Sequence, residues 1–462
     1  MNHNTPFIIV LSTVLLTSCG IVTKTYRQPE TAVTDSLYRE ANKTDSTTLA
    51  DTPWQQLFPD AMLQELIREG LANNPDLNSA LERMKEANAT LTQQTLSLLP
   101  SLNGAANASR INPSDNAAGM AKPAYNLFEG SFSASWELDI WGKLASKRKA
   151  ALASYLRTEA AKRAVQTALI ANIANNYYTL LALDEQLAIT RQTVEIRAKD
   201  VESMKLLKAS AIVNGAAVVQ SQANLYSAEV SIPDLQQRIR ETENALCVLT
   251  GKTPGQIERS TLAQQALPAD LKTGVPGLLL KNRPDVQEAE FALRETFENI
   301  NVARADFYPS LSITANGGLS SLTLSKFLDN SLFYSLVGGL TQPIFNNGQN
   351  VASLKIAKAQ QQEAFNDFRK VLLTAGQEVS NALYAYQTAE AKDSSRTRQL
   401  TALKKSVEFT KELLQYSSAT NYTDVLTSEQ SLLSAQLSAV NDQLQKMQAV
   451  VELYRALGGG WK

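Results

Sequence analysis

The fold is decided by a stretch that begins with Arg283-Pro284-Asp285-Val286 and ends with Tyr308-Pro309-Ser310-Leu311, because both motifs occur twice in the chain. Asn74-Pro75-Asp76-Leu77 and Leu99-Pro100-Ser101-Leu102 stand 209 residues before them. Farther on, identical residues keep an offset of 207: Asn214 and Asn421, Val218 and Val425, Leu225 and Leu432, Ala228 and Ala435, Leu246 and Leu453, Gly251 and Gly458. An offset this steady indicates two copies of one structural unit.

Each copy is predicted to contain the same elements in the same order. A helix of medium length, at about 75–98 and 284–306, precedes two strands, a very long helix and a second helix. Side chains that alternate between apolar and polar indicate the strands and give each strand one apolar face. The apolar positions are Phe128, Phe132, Ala134, Trp136 and Leu138 in the first copy and Leu311, Ile313, Ala315 and Leu319 in the second.

The long helices have a different period. Apolar or small residues separated alternately by three and four positions run through the second copy at Phe365, Phe368, Leu372, Ala375, Val379, Ala382, Tyr386 and Ala389. This repeat of 3.5 residues predicts left-handed supercoiling against neighbouring helices. At 1.5 Å per residue, each long helix is expected to reach roughly 90–100 Å.

The N-terminus resembles the signal of a bacterial lipoprotein. The apolar run from Phe7 to Leu16 is long enough for the core of a signal peptide and too short to span a bilayer. It leads into Leu16-Thr17-Ser18-Cys19, in which small residues precede a cysteine, as in the lipoprotein motif. We therefore predict a signal peptide at residues 1–18 and lipidation of Cys19. The alternative is an ordinary signal peptide with a coincidental cysteine.

The remaining boundaries follow from the duplication. Residues 19–57 are predicted to form a lipidated N-terminal strap, residues 58–256 the first repeat and residues 257–462 the second. Strands are expected at about 102–140 and 309–345, and long helices at about 146–250 and 349–457.

The composition excludes several classes of function. The 462 residues include 44 Lys or Arg and 45 Asp or Glu, and this balance gives no reason to expect nucleic acid as a partner. His3 is the only histidine, and it lies in the predicted signal peptide. The mature chain would therefore have no imidazole for acid–base catalysis or metal binding. We predict no enzymatic activity, no cofactor and no metal site.

The strands pose a problem of closure. No window approaches the roughly 18 apolar residues of a transmembrane helix, and a sheet in lipid must close because unpaired backbone groups are too costly there. Four strands per chain are too few, since membrane barrels begin at about eight. We therefore predict an α+β membrane protein in which a trimer shares a 12-stranded β-barrel, with the long helices projecting from one end as a coiled-coil barrel.

Several motifs carry a resemblance to a known family. The stretch Leu280-Lys281-Asn282-Arg283-Pro284-Asp285-Val286, continuing to Tyr308-Pro309-Ser310-Leu311, is similar to the TolC/OprM class of outer-membrane efflux proteins, in its lipoprotein (NodT-like) branch. Gln342-Pro343-Ile344-Phe345 and the terminal Gly458-Gly459-Gly460-Trp461 also fit this class. Together these motifs extend the resemblance over nearly the whole mature chain.

The resemblance implies the function and the partners. We expect the exit duct of a tripartite efflux pump, lipid-anchored in the outer membrane at Cys19, with its helical barrel in the periplasm. A homotrimer of this kind is expected to contact a periplasmic adaptor, an inner-membrane transporter of the proton-driven RND type and outer-membrane lipids. The sequence leaves the exported substrate open, whether drugs, metals or other compounds.

The resemblance also implies a periplasmic gate at the turn before the last helix. Tyr416 and Asp424 match residues of the family in this region, whereas Ala419 replaces the family's glycine and Thr427 stands where a second acid often occurs. Three copies of Asp424 would form a ring that attracts cations. The alternative is that Asp424 only stabilises the start of the last helix, where acids are favoured.

Two other functions stay open at this stage. A periplasmic coiled-coil adaptor, or a structural lipoprotein of an envelope-spanning complex, would also have long helices, although adaptors lack paired amphipathic strands in each of two repeats. A lipid-anchored enzyme is disfavoured by the missing histidine and by the lack of a glycine-rich nucleotide-binding loop.

Overall fold

The computed structural model describes residues 22–28, 37, 48–112, 124–266, 277–416 and 421–462. The predicted signal peptide and Cys19 lie outside these residues. The chain divides into two compact units, of which the first comprises Met1–Glu30, Arg83–Glu159 and Glu288–Phe368, and the second Thr31–Glu82, Ala160–Gln287 and Arg369–Lys462. Each unit therefore takes residues from both copies of the repeat.

In each copy the elements follow the predicted order helix–strand–strand–helix–helix, preceded by helices that the sequence did not predict. The first copy contains α1 (Trp54–Leu57), α2 (Ala61–Asn73), α3 (Pro75–Leu96), β1 (Ser101–Ile111), β2 (Tyr125–Leu138), α4 (Lys143–Ala209) and α5 (Gly215–Leu249). The second contains α6 (Leu278–Asn282), α7 (Pro284–Ala305), β3 (Ser310–Ser321), β4 (Leu332–Thr341), α8 (Gln349–Tyr416) and α9 (Tyr422–Ala456). The predicted order begins at α3 in the first copy and at α7 in the second, and the unpredicted helices α1, α2 and α6 precede it.

The repeated Pro-Asp motif marks the start of a helix in both copies. Pro75 is the first residue of α3 and Pro284 the first residue of α7. Proline suits this position because its fixed φ is helical and the amide hydrogen that it lacks would have no partner there. Asp76 and Asp285 follow in the first turn, where the positive end of the helix dipole favours a carboxylate.

The residue before each proline ties the start of that helix to the end of the last helix of the same copy. The Asn74 side chain donates a hydrogen bond to the Leu249 carbonyl at 2.9 Å, at the end of α5. Arg283 donates to the Ala456 carbonyl, also at 2.9 Å, at the end of α9. Both side chains are buried, so each carbonyl is satisfied without water.

The four strands form one antiparallel sheet in the order β1-β2-β3-β4. Phe132 on β2 pairs with Gly104 on β1 and with Gly317 on β3. A Cβ atom on Gly104 would come within 3.2 Å of the Phe132 ring, so glycine makes room for the aromatic ring. β1 pairs only with β2 and β4 only with β3, which leaves one edge of each outer strand unpaired within the described chain.

Two tryptophans fix the end of the sheet where the helices begin. The Trp136 indole nitrogen donates to the Leu98 carbonyl at 2.9 Å. The Trp141 nitrogen donates to the Pro309 carbonyl at 2.7 Å, and its ring lies 5.0 Å from that of Tyr308. These contacts join the sheet to the segments that follow α3 and α7.

The long helices α4 and α8 have 67 and 68 residues. The predicted seam of α8 is buried, since Phe368, Leu372, Ala375 and Val379 have no exposed surface. None of the helices in the described ranges combines the length and the apolar character that crossing a membrane requires.

Candidate gate at the helix-hairpin tips

The three predicted gate residues lie around the turn between α8 and α9. Tyr416 ends α8, and Asp424 and Thr427 lie in the first two turns of α9. All three side chains are exposed in the single chain. The turn itself, which includes Ala419, lies outside the described residues.

Asp424 takes part in the cap of α9. The Asn421 side chain accepts from the Thr423 amide at 2.8 Å and from the Asp424 amide at 3.3 Å. The Asp424 carboxylate in turn accepts from the Asn421 amide at 3.2 Å, which completes a capping box. The carboxylate thus contributes to the helix start and is still exposed, so both interpretations made from the sequence fit its position.

Thr427 and Tyr416 have simpler surroundings. The Thr427 hydroxyl donates to the Thr423 carbonyl one turn earlier, at 2.9 Å. Tyr416 keeps 79% of its surface exposed and lines a cleft at the tips. Their roles in a gate stay predictions.

The other hairpin, between α4 and α5, ends in a strained turn. The Ile212 amide donates to the Leu207 carbonyl at 2.9 Å, and Ala211 has a φ of +57°. This left-handed conformation ordinarily favours glycine, because a Cβ atom is crowded there. Asn214 then caps α5, with its side chain accepting from the Ala217 amide at 3.1 Å.

The two hairpin tips share one small apolar core. Met204 and Val218 of the first hairpin are buried against Tyr422 and Val425 of the second. Beside this core lies an open cleft of about 760 Å³. Its lining comes from both tips: Ile212, Val213, Asn214, Ala216, Ala217, Gln220, Leu414, Gln415, Tyr416, Asn421, Tyr422 and Thr423. Because the core draws on both tips, apolar packing connects them.

An ionic cluster that sequence reasoning missed lies below the tips. Lys411 on α8 contacts Glu429 on α9 at 2.6 Å and Asp200 on α4 at 3.1 Å. Burial raises the pKa of Glu429, and the nearby Asp200 raises it further against the opposing effect of Lys411. Three helices are therefore joined by two carboxylates and one ammonium group. The sequence offered no signal for this cluster, because each member looks like an ordinary charge on the surface of its own helix.

Arg197 forms a second polar connection in the same region. It is almost fully buried, donates to the Asn224 carbonyl at 2.6 Å and donates to the Gln430 side chain at 2.9 Å. These bonds connect α4 to α5 and α9. Within the described ranges, no group of His, Cys, Asp and Glu has the arrangement of a metal site.

Comparison with known proteins places this chain in a family. The family model for outer membrane efflux proteins matches residues 66–252 and 275–459. The cation efflux system protein CusC of Escherichia coli is 30% identical over 461 residues, which are 99% of this chain and 98% of that protein. The toluene efflux pump outer membrane protein TtgC of Pseudomonas putida is 30% identical over 419 residues, with coverages of 89% and 86%.

The fold is also found among solved structures. The crystal structure of a membrane protein from Pseudomonas aeruginosa matches with a TM-score of 0.86 and 28% identity, over 95% of this chain and 100% of that one. The match to the family model and the similarity to CusC over nearly the whole chain show that the chain belongs to the outer membrane efflux protein family.

Family membership confirms the predicted class of function and the predicted fold class. The protein is an outer-membrane channel, the passive exit duct of a tripartite efflux pump, and not an enzyme. As such it works as a trimer with a periplasmic adaptor and an inner-membrane transporter.

Proposed function

We propose that the tips of the two helix hairpins form the periplasmic gate of this duct. The observation that supports this most directly is the apolar core shared by Met204, Val218, Tyr422 and Val425. This core buries few side chains. The tips can therefore separate more easily than the fully buried seam of α8 can. Tyr416 and Thr427 would lie at the rim of the opening.

Asp424 would supply the charge at the constriction. Its carboxylate is exposed although it caps α9, so a trimer would present three such groups around one axis. A ring of carboxylates attracts cations and repels anions. Copy one has Ala217 at the position 207 residues earlier, so the ring would contain three acids, not six.

The two unpaired edges of the sheet support a particular arrangement of the three chains in the trimer. β1 and β4 each have one unpaired edge, and in lipid such edges must be paired. We propose that β4 of one chain pairs with β1 of the next, which gives twelve strands from three chains of four. Outer-membrane lipids would then contact the apolar face that carries Phe132.

The finer identity of the transporter is inferred from the resemblance to the efflux family, and the place of the adaptor from the cleft at the hairpin tips. We propose an inner-membrane transporter of the RND type, and an adaptor whose helices enter the cleft beside Tyr416. We also propose that Cys19 carries the lipid anchor and that residues 19–57 form the strap of the mature chain. The two repeats would span residues 58–256 and 257–462.

The gate is tested by recording single trimers in planar bilayers. Asp424→Asn removes the charge but keeps an oxygen that can accept from the Asn421 amide, whereas Asp424→Ala removes both. If the charge gates, both variants raise conductance and lower the preference for K⁺ over Cl⁻ in a salt gradient. Asp393→Asn, which neutralises another exposed aspartate on α8, is the matched control and should leave both quantities unchanged.

The opposite pattern identifies a purely structural role. If Asp424→Asn behaves like the native channel and only Asp424→Ala lowers the melting temperature, the carboxylate acts through the helix cap alone and the proposed ring of charges at the gate is wrong.

A further inference from the structure

The N-terminal strap is held at its start by one buried side chain. Asn301 on α7 has no exposed surface. Its amide oxygen accepts from the Lys24 backbone amide at 3.0 Å, and its nitrogen donates to the Lys24 carbonyl at 2.9 Å. Asn301 therefore bonds to Lys24 much as a neighbouring β-strand would, because it satisfies both the backbone amide and the carbonyl of one residue.

The orientation of this amide is itself fixed. Asn301 also donates to the buried Glu298 carboxylate at 3.0 Å, and it accepts from Arg304 at 3.4 Å. Both hydrogens and both lone pairs of the amide are then used. Rotation of the group by 180° would place its nitrogen towards the Lys24 amide and would break both bonds. Such a side chain is positioned to hold a peptide segment.

A second contact repeats at the spacing of an extended chain. The Tyr26 ring packs against Phe297 with centroids 5.5 Å apart. Asn301 and Phe297 are four residues apart, about 6 Å along a helix, and Lys24 and Tyr26 are two residues apart, about 6.6 Å along an extended chain. One turn of α7 thus matches two residues of a strap that runs antiparallel to it.

The strap enters this surface at the end of the sheet. Val22 is buried, and Thr23 lies against Gly142, where a Cβ atom would come within 3.2 Å of the Thr23 methyl group. Gly142 has a φ of +74° and follows the last residue of β2, Leu138, by four positions. The contacts of residues 22–26 therefore begin where β2 gives way to α4.

We propose that α7 carries a binding site for the strap, with Asn301 as its positioning residue, and that this site fixes where the N-terminus leaves for the membrane. The second part rests on the proposed lipidation of Cys19. Cys19 precedes Val22 by three positions in the sequence, a distance of at most about 11 Å. The acyl chains would then enter the bilayer beside the end of the sheet from which α4 begins, in the leaflet that surrounds that end.

Proteolysis of the purified trimer tests the site. Endoproteinase Lys-C cleaves after lysine, and the Lys24–Thr25 bond can be cut only when the strap leaves Asn301. Asn301→Leu should accelerate this cut by about tenfold, because two hydrogen bonds are lost. Asn350→Leu is the matched control, since Asn350 also donates to a backbone carbonyl, that of Asp306, without contacting the strap. Phe297→Ala should accelerate the cut by a smaller factor.

A second measurement begins with Asn301 in place, so misfolding of a variant cannot by itself decide the outcome. Spin labels at Thr25→Cys and Lys149→Cys, both exposed positions, in trimers diluted with unlabelled chains, should give one narrow distance distribution, which Asn301→Leu broadens. A broad distribution with Asn301 present, or equal cleavage rates in Asn301→Leu and Asn350→Leu, overturns the site. The mass of the released Cys19–Lys24 fragment reports the lipid separately: a fragment without acyl chains, from a protected strap, overturns the anchor and leaves the binding site standing.

Discussion

The two copies make the same joint with different chemistry. In each, the residue before the helix-starting proline donates to a carbonyl at the end of the last helix of that copy, Asn74 to Leu249 and Arg283 to Ala456. The acceptors are 207 residues apart, the offset of the repeat itself. The hydrogen bond has thus been kept in both copies, although one donor is a neutral amide and the other a guanidinium group.

The guanidinium group does more than the amide. Arg283 also contacts Asp285 at 2.6 Å and Glu378 on α8 at 2.8 Å, and Arg455 on α9 reaches the same Glu378 at 3.3 Å. Burial alone would lower the pKa of Arg283, but the hydrogen bonds and charges of Asp285 and Glu378 together outweigh it and raise the pKa, so the side chain stays charged. The joint of the second copy therefore includes its long helix, whereas the Asn74 bond connects two helix ends only.

The largest expected effect comes from removing the guanidinium group that distinguishes the joint of the second copy. Arg283→Leu removes the hydrogen-bond donor that now reaches both Glu378 and the Ala456 carbonyl. We therefore expect a loss of about 3–5 kcal/mol in the free energy of unfolding. Asn74→Leu should lose about 1–3 kcal/mol, because only neutral groups are left unpaired. Urea unfolding of the detergent-solubilised chain measures both. Equal losses would mean that the charge network adds nothing to the shared bond.

The glycines that follow these joints sharpen the comparison. A Cβ atom on Gly458, at φ +88°, would lie 2.5 Å from the Asn282 backbone, and one on Gly251, at φ +72°, would lie 2.6 Å from the Asn73 carbonyl oxygen. Alanine at either position should reduce stability by about 2–4 kcal/mol through clash and strain. Gly348 has a similar φ of +78° but open surroundings, so Gly348→Ala should lose only about 1 kcal/mol. Thermal melting distinguishes these cases, and equal losses at all three sites would exclude the clash.

We expect the copies to differ also in how pH affects their stability. Glu429 in the second copy corresponds, at the 207-residue offset, to Gln222 in the first. The pKa of Glu429 is raised in the folded chain by burial, so the folded state binds its proton more readily than the unfolded state. Stability contributed by this group is present below the ordinary carboxyl pKa and is lost as the pH rises through the raised value.

Glu429→Gln gives the second copy the amide that the first copy has, and it should flatten this fall in stability. The measurement is the unfolding midpoint from pH 4 to pH 8, with Glu408→Gln, an exposed glutamate on α8, as the control. An unchanged slope in Glu429→Gln would show that another group causes the pH dependence.

The smallest expected effect concerns the hairpin caps. Asn214 and Asn421 cap equivalent helices, but only Asp424 returns a hydrogen bond, because the first copy has Ala217 at that position. Ala217→Asp should complete the missing capping box and so raise the free energy of unfolding by about 0.5–1 kcal/mol. The gain is reduced by the cost of placing a carboxylate at a partly buried position. If the proposed gate is correct, the added acids should also raise cation selectivity in planar bilayers. Ala217→Asn separates the cap from the charge.

The fold was largely predictable because its signals are local. The period of two in the strands, the 3.5-residue period in α8 and the Pro-Asp helix starts each depend on residues near one another in sequence. The duplication then supplied the order of elements, and four strands per chain supplied the argument for several chains. The repeat boundaries stay a proposal, since each compact unit takes residues from both copies.

The site was less predictable because its contacts are distant in sequence. Lys411 and Asp200 are 211 residues apart, and each looks like an ordinary solvated charge in its own helix. Asn301 and Lys24 are 277 residues apart, and no period marks either of them. Asp424 was found only through the resemblance, and its hydrogen bond in the cap of α9 became visible only in the structure.

The unpaired edges of the sheet have a consequence for the life of the newly exported chain. Before it meets two others, a single chain presents two strand edges, and β4 carries exposed Leu332, Tyr334, Leu336 and Leu340. Such edges are templates for aggregation. β1 is rich in small and polar residues instead, so its edge is less prone to aggregation than the edge of β4. Until a neighbouring chain pairs with it, β4 is therefore the part of the single chain that most needs to be covered.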